Sequence, residues 1–263
     1  MIIDFHAHFG DTGVWLRGPD QAVAWMDRWG LDRAVLVGGL WREDGADDWR
    51  GGSTFDCRRG NEETAKALRK YPDRFLGFVW ANANRPEVLD DIRRYVEQHG
   101  FRGVKFAAYL NHFPVYSEPV FRICELAREY RLIVASHTDH GYYSNPLHLA
   151  ALASDFPDLN FVMIHMGWYQ QAAIRQCIEA ARSRPNLFLG TESMPYPRMI
   201  RLAVTELGPE RVLFGSDAGG EINRPGGGND IRYELGKVKA ARLTPHEERL
   251  VMGENAARLL GLS

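Results

Sequence analysis

One alternation, sustained along the whole chain, limits what it can fold into. Short runs rich in β-branched and aromatic residues recur from end to end, separated by longer stretches whose apolar residues stand three and four apart. The runs predict strands and the stretches predict helices, because side chains repeat every two residues in a strand and every 3.6 in a helix. Eight strands are expected, at Ile2–His8, Arg33–Gly38, Phe75–Ala81, Gly103–Ala107, Leu132–His137, Phe161–His165, Leu187–Thr191 and Val212–Asp217. Helices are expected at Gln21–Trp29, Asn61–Tyr71, Pro86–Gln98, Pro119–Tyr130, Pro146–Phe156, Ala172–Arg182 and Tyr196–Leu207. Pro86, Pro119 and Pro146 suit a first helical turn, where the missing N–H costs nothing. The last stretch, from about Ile231 to Leu262, supplies an eighth helix and one more, with Thr244-Pro245-His246-Glu247 reading as a capped helix start and Asn255–Leu260 as a closing helix. Parallel strands joined by helical crossovers make an α/β fold. No Pro/Ser-rich linker or compositional break divides the 263 residues. A single (β/α)8 TIM barrel over residues 1–263 is therefore expected, in preference to an open doubly wound sheet.

Composition removes several function classes. A formal net charge of −2 gives no basic footprint for nucleic acid. The three cysteines, Cys57, Cys124 and Cys177, have neither CxxC spacing nor the look of a disulfide framework, and Cys124 and Cys177 fall within helical patterns as small core residues. The first residues read directly as a strand, with no signal-peptide pattern and no apolar run long enough for a membrane helix, so a soluble cytoplasmic protein without a membrane or nucleic-acid partner is expected.

In a barrel of this type the reactive groups gather where the strands end at their C-terminal side. His6-Ala7-His8 closes the first strand, and residues two apart on a strand share a face roughly 6.6 Å apart along the backbone. Two imidazoles so placed can share one ion. Lys105 falls near the end of strand four, His137 ends strand five, His165 ends strand six, Glu192 follows strand seven and Asp217 ends strand eight. A strand-end His or Asp alone often caps a helix, but four of the nine histidines on one rim, joined by a carboxylate, form a ligand set suited to Zn²⁺ and compatible with Fe²⁺ or Mn²⁺.

Asp4-Phe5-His6-Ala7-His8, the strand-five His137, Ile164-His165-Met166-Gly167 and Leu213-Phe214-Gly215-Ser216-Asp217 together resemble the amidohydrolase superfamily, and more narrowly its amidohydrolase-related branch, which includes aminocarboxymuconate-semialdehyde decarboxylase. The resemblance spans nearly the whole chain. It implies one divalent metal, most simply Zn²⁺, held by His6, His8, His137 and Asp217, with His165 beside it as a catalytic residue and Asp217 as a second catalytic group. Such an ion makes water acidic enough to ionise near neutral pH. Asp217 would take and return its proton, while His165 would polarise a carbonyl or stabilise charge on its oxygen. Members of the branch often pair, so a homodimer is an expected state, although the sequence shows no distinct interface pattern.

Around the ring the loops are aromatic. Lys105 is read as a contact for a substrate anion, with Arg17, Trp41, Tyr109 and Trp168 as further substrate-binding residues and Trp15, Trp80 and Arg224 nearby. Such walls suit a flat or unsaturated acid. His140 is read as the histidine supporting the ring from behind. The glycine-rich stretch from Gly219 to Asp230 has no Walker or GxGxxG spacing, so it reads as a lid or anion cradle and not a nucleotide site. Four readings remain open: a metal-dependent hydrolase acting on a small carbonyl or carboxylate compound, a metal-dependent nonoxidative decarboxylase of an unsaturated or aromatic acid, a metal-free Schiff-base lyase using Lys105, and a nonenzymatic metal-binding barrel that retains the fold.

Overall fold

The computed structural model describes residues 1–9, 18–38, 57–218 and 231–262. Eight strands run in sequence order: β1 (Ile3–Phe9), β2 (Arg33–Gly38), β3 (Phe75–Trp80), β4 (Gly103–Phe106), β5 (Ile133–His137), β6 (Phe161–Ile164), β7 (Leu187–Gly190) and β8 (Val212–Leu213). Each pairs in parallel with the next. The first and last meet as well: Phe5 N–H donates to the Phe214 carbonyl at 2.9 Å, Asp217 N–H to that of His6 at 2.8 Å, and His8 N–H to that of Ala218 at 2.6 Å. These bonds close the sheet on itself. The expected (β/α)8 barrel is the fold observed.

Helices cover the outside at Pro19–Trp29, Cys57–Lys70, Val88–His99, Glu118–Glu129, Pro146–Asp155, Gln171–Arg182, Pro197–Leu207 and Ile231–Ala240. Local chemistry sets their ends. The Asn145 side chain accepts from Leu147 N–H ahead of Pro146, and Thr244 with Glu247 forms a reciprocal capping box at the start of Pro245–Arg249. That last helix continues through a π-helical turn, Leu250–Glu254, into Asn255–Leu259. Pro86 stands in the turn before Val88, outside the first helical turn expected for it. A short helix, Ala108–Asn111, follows β4 and was not expected, because four residues are too few to show a period.

Two apolar layers result. Ala34, Leu36, Val104, Phe106, Phe161 and Met163 face outward against helix residues such as Met26, Ile92, Ile123 and Ile200. Ile3, Phe5, Val35, Val37, Phe78, Ile133, Val162, Phe188 and Leu213 fill the interior together with Ala256, Ala257 and Leu260 of the closing helix. On β4 the outward positions belong to Val104 and Phe106, so strand alternation turns the intervening Lys105 inward, where it is buried.

β1 departs from simple alternation. Asp4 pairs with Ala34 and Ala7 with Leu36, so one extra residue sits on β1 between those positions. Without it, the alternation that carries Phe5 inward would also carry Ala7 inward. The bulge sends Ala7 outward beside Leu36 and sets His8 opposite the inward Val37. Bulges at barrel rims re-aim side chains in this way.

Candidate active site

Three ligand-type atoms converge at the mouth of the barrel. His6 Nε2 lies 3.1 Å from His8 Nε2, and Asp217 Oδ1 is 3.4 Å from each of them. Four ligands about 2.0–2.1 Å from a tetrahedral ion stand about 3.3–3.4 Å apart, so this triangle has the edges of a divalent-metal site. Its chemistry fits too. His8 Nδ1 faces the Val37 carbonyl at 3.2 Å, and because a carbonyl only accepts, Nδ1 carries the proton and Nε2 keeps its lone pair for the triangle. Ser193 Oγ donates to Asp217 Oδ2 at 2.9 Å, which orients the carboxylate with Oδ1 on the histidines. The residues fit the ion that the sequence implied.

His165 stands at the edge of this cluster. His6, His165 and Asp217 each offer a ligand-type atom within 4.8 Å of the others, and the His6 and His165 ring centroids are 5.7 Å apart. Glu192 holds His165 at two points: its Oε1 accepts from the His165 backbone N–H at 2.9 Å, and its own carbonyl accepts from His165 Nδ1 at 3.2 Å. Nε2 of His165 is therefore the unprotonated nitrogen. The Glu192 carboxyl fits only because two neighbours lack side chains, since a Cβ at Gly190 would lie 2.4 Å from Oε1 and one at Gly215 2.6 Å from Oε2. Sequence reasoning placed Glu192 on the rim without giving it a task.

His137 is packed among rings. The Tyr109 centroid is 4.2 Å from its own, that of His165 4.7 Å and that of Trp168 5.3 Å. Its Nε2 meets Asp139 Oδ2 at 3.1 Å. Asp139 was missed by the sequence reading, which chose its neighbour His140 as the supporting group. His140 is exposed and bonds Gln170 at 3.2 Å. The legible signal was His137-Thr138-Asp139, in which an extended backbone returns the carboxylate to the face of the imidazole. Asp4 was also missed: fully buried, it accepts from Ser216 N–H at 2.8 Å, from Ser216 Oγ and from His6 N–H at 3.2 Å, clamping β1 to the segment that carries Asp217.

Of the residues read as substrate contacts, Lys105 Nζ reaches His6 Nε2 at 3.4 Å, and Tyr109 and Trp168 flank His137. Trp80 lies 6.4 Å from His8, its indole N–H held by Asn111 Oδ1. Arg17 and Trp41, with Trp15, Arg224 and the Gly219–Asp230 stretch, lie outside the described residues.

Burial and charge set the protonation states. Burial, reinforced by Lys105, holds the His6 imidazole well below its ordinary range, and burial does the same to His165. Burial pushes the Asp217 carboxyl upward, but His165, His8 and Lys105 outweigh it and keep the group ionised. Burial raises Asp4 and Glu192 to about 7. The His6 and His165 imidazoles are thus held toward the neutral form beside the Asp217 carboxylate. The backbone of the cluster is strained as well, with positive φ at His165 (68°), Trp168 (60°), Ser193 (53°) and Asp217 (54°). Such conformations cost of order 1–3 kcal/mol each for residues other than glycine and cluster at functional sites.

The model of the amidohydrolase family matches residues 3–262. The chain belongs to the amidohydrolase family. No curated protein matches this amidohydrolase in sequence. Among solved structures it is similar to 4-oxalomesaconate hydratase from Rhodopseudomonas palustris, at 19% identity and a TM-score of 0.72 over 99% of this chain and 96% of that one. It is similar to a dihydroxybenzoic acid decarboxylase from Polaromonas sp. with bound manganese and the inhibitor 2-nitroresorcinol, at 17% identity and 0.71 over 99% and 96%. A probable 2-pyrone-4,6-dicarboxylic acid hydrolase from Acinetobacter baumannii resembles it at 16% identity and 0.69 over 99% of each chain. At these identities the likeness is one of fold. Among the described residues, no helix of this amidohydrolase is long and apolar enough to cross a membrane.

Proposed function

We propose that this amidohydrolase is a metal-dependent hydrolase that cleaves a small carbonyl or carboxylate compound with a water molecule. The observation that carries the reading is the triangle of His6 Nε2, His8 Nε2 and Asp217 Oδ1, with edges of 3.1, 3.4 and 3.4 Å. His6, His8, His137 and Asp217 would hold one divalent ion, with Zn²⁺ the simplest occupant and Mn²⁺ or Fe²⁺ the alternatives. When bound, the ion supplies a Lewis-acid centre and lowers the pKa of a water molecule to about 7.

The chain's own groups do the rest. Asp217, ionised and oriented by Ser193, accepts the proton that the attacking water gives up and returns it to the leaving group. For His165 the hydrogen bonding supports a different role from the one expected. With Nδ1–H committed to the Glu192 carbonyl and the ring kept neutral by burial, Nε2 presents a lone pair, so His165 acts as a proton acceptor toward substrate or water and not as a resting hydrogen-bond donor to a carbonyl. Lys105, cationic beside His6, pairs with a substrate carboxylate. Tyr109 and Trp168 form the walls against which a planar substrate lies.

The aromatic walls and the buried lysine also support nonoxidative decarboxylation of an unsaturated or aromatic acid. In that case the chain delivers a proton to the carbon that loses CO₂. One experiment tests both readings: protein purified without chelators is analysed for metal and then assayed on lactones, amides and unsaturated acids, with ring opening followed by pH-stat and CO₂ by a coupled assay. Stoichiometric metal and chelator-sensitive ring opening without gas are expected. Released CO₂ would select decarboxylation, and turnover by metal-free protein together with borohydride trapping at Lys105 would select the Schiff-base lyase.

A further inference from the structure

We infer that Asp139 is the positioning residue of the metal site: its carboxylate fixes the tautomer and edge of His137, so that the ring offers Nδ1, not Nε2, as a ligand atom. The inference rests on the reading of His137 as a ligand. Its basis is a division of labour between the two Asp139 oxygens. Oδ1 accepts from Gly141 N–H at 2.6 Å and from Ser144 Oγ at 2.7 Å, which ties down the loop after β5, and Asp139 N–H closes that loop on the Ser144 carbonyl at 3.1 Å. Oδ2 alone faces His137 Nε2, at 3.1 Å.

An ionised carboxylate can only accept a hydrogen bond, so the proton of His137 sits on Nε2 and the lone pair on Nδ1. The ring has no room to turn over. It is 2% exposed and enclosed by Tyr109, His165 and Trp168 at centroid distances of 4.2, 4.7 and 5.3 Å. The backbone that follows is pinned as well, because both Thr138 N–H and Thr138 Oγ1 donate to the Ile164 carbonyl of β6, at 3.0 and 2.8 Å. Three rings thus set the plane of the imidazole, and Asp139 decides which edge looks inward. A carboxylate behind an imidazole also makes the opposite nitrogen more basic and so a better metal ligand.

The test measures transfer of Zn²⁺ from the loaded protein to a competing chelator for the wild type, Asp139→Asn, Ser144→Ala and His137→Ala, together with the visible spectrum of each protein loaded with Co²⁺. Asp139→Asn is expected to weaken Zn²⁺ binding about 10–100-fold and to shift the Co²⁺ bands. Ser144→Ala, which disturbs only the Oδ1 side, is expected to stay within twofold of wild type, a separation that a purely structural role of the loop would not give. Equal weakening in Asp139→Asn and Ser144→Ala overturns the inference. So does an unchanged Asp139→Asn beside a His137→Ala that loses its metal, which leaves the reading of His137 as a ligand standing. If His137→Ala itself keeps the metal, that reading falls and the inference falls with it. A measurement on wild-type protein needs no variant to fold: ¹⁵N NMR of the zinc-loaded enzyme is expected to show His137 protonated at Nε2, and protonation at Nδ1 would overturn the inference.

Discussion

At the residue scale, the site works by assigning each polar atom a direction. His8 and His165 both give Nδ1–H to a backbone carbonyl, which leaves Nε2 of each facing the mouth of the barrel. Substitution of His165 by Ala should therefore leave bound metal near stoichiometric while the rate falls by about 10²–10⁴, the usual worth of a positioned acid or base. Metal analysis beside steady-state kinetics checks this, and an emptied site would make His165 a ligand. The buried imidazoles also set a pH limit. Because burial and Lys105 depress His6 well below 6.5, its ring stays neutral, and able to bind metal, in solutions where an ordinary histidine has protonated. Metal content measured after equilibration across pH 4–8 should fall with a midpoint below 6.5, and a midpoint at or above that value would contradict the depressed His6 imidazole. In metal-free protein the same depression lowers folding stability as pH drops below 6.5, since the unfolded chain then takes up protons that the folded one refuses.

Elements end where the site needs them to end. β6 stops at Ile164 because His165 turns to φ 68°, and β8 is only two residues long, the Phe214 N–H going to the Val251 carbonyl of the π-helical turn at 2.9 Å. Expected strands that ran on to His165 and Asp217 overshot for that reason: an apolar run shows which residues are buried, not where the backbone leaves the ladder. Helix Ile231–Ala240 carries a second device. Its fully buried Lys237 donates to the carbonyls of Thr191 at 2.5 Å and Met194 at 3.1 Å and pairs with Glu234, anchoring the turn from which Ser193 orients Asp217. Lys237→Met strands two buried carbonyls and should cost about 3 kcal/mol in urea unfolding. Burial already pushes Glu234 up to about 8, so it is largely protonated at neutral pH and Glu234→Gln should cost far less. Equal costs for the two would show that the ion pair, and not the carbonyl contacts, does the anchoring.

The whole molecule is a ring whose first and last strands meet, and the candidate ligands straddle that seam. His6 and His8 belong to β1, Asp217 to the segment after β8, and Asp4 clamps the same two segments through Ser216. A ligand bound across the closure stabilises the folded chain by RT ln(1 + [L]/Kd), about 2.7 kcal/mol at a hundredfold excess over Kd. Chelation should lower Tm and speed hydrogen exchange first at the amides of Phe5, His8 and Asp217, which bridge the seam, with the β4 to β6 ladder nearly unchanged. Uniform acceleration across all strands would mean that the barrel opens as one unit and that the seam has no separate stability.

The sequence by itself determined the strand count, the helical crossovers and the rim positions of His6, His8, His137, His165 and Asp217, because burial writes a period into the chain and a barrel sends every strand end to one mouth. Tertiary structure alone decided which atoms face one another. The β1 bulge that aims His8, the Asp139 carboxylate behind His137, the grip of Glu192 on His165 and the room that Gly190 and Gly215 leave for it each depend on a register, a turn or a contact between separate strands. Periodicity constrains faces; the direction of a lone pair is set by whichever distant neighbour donates or accepts beside it.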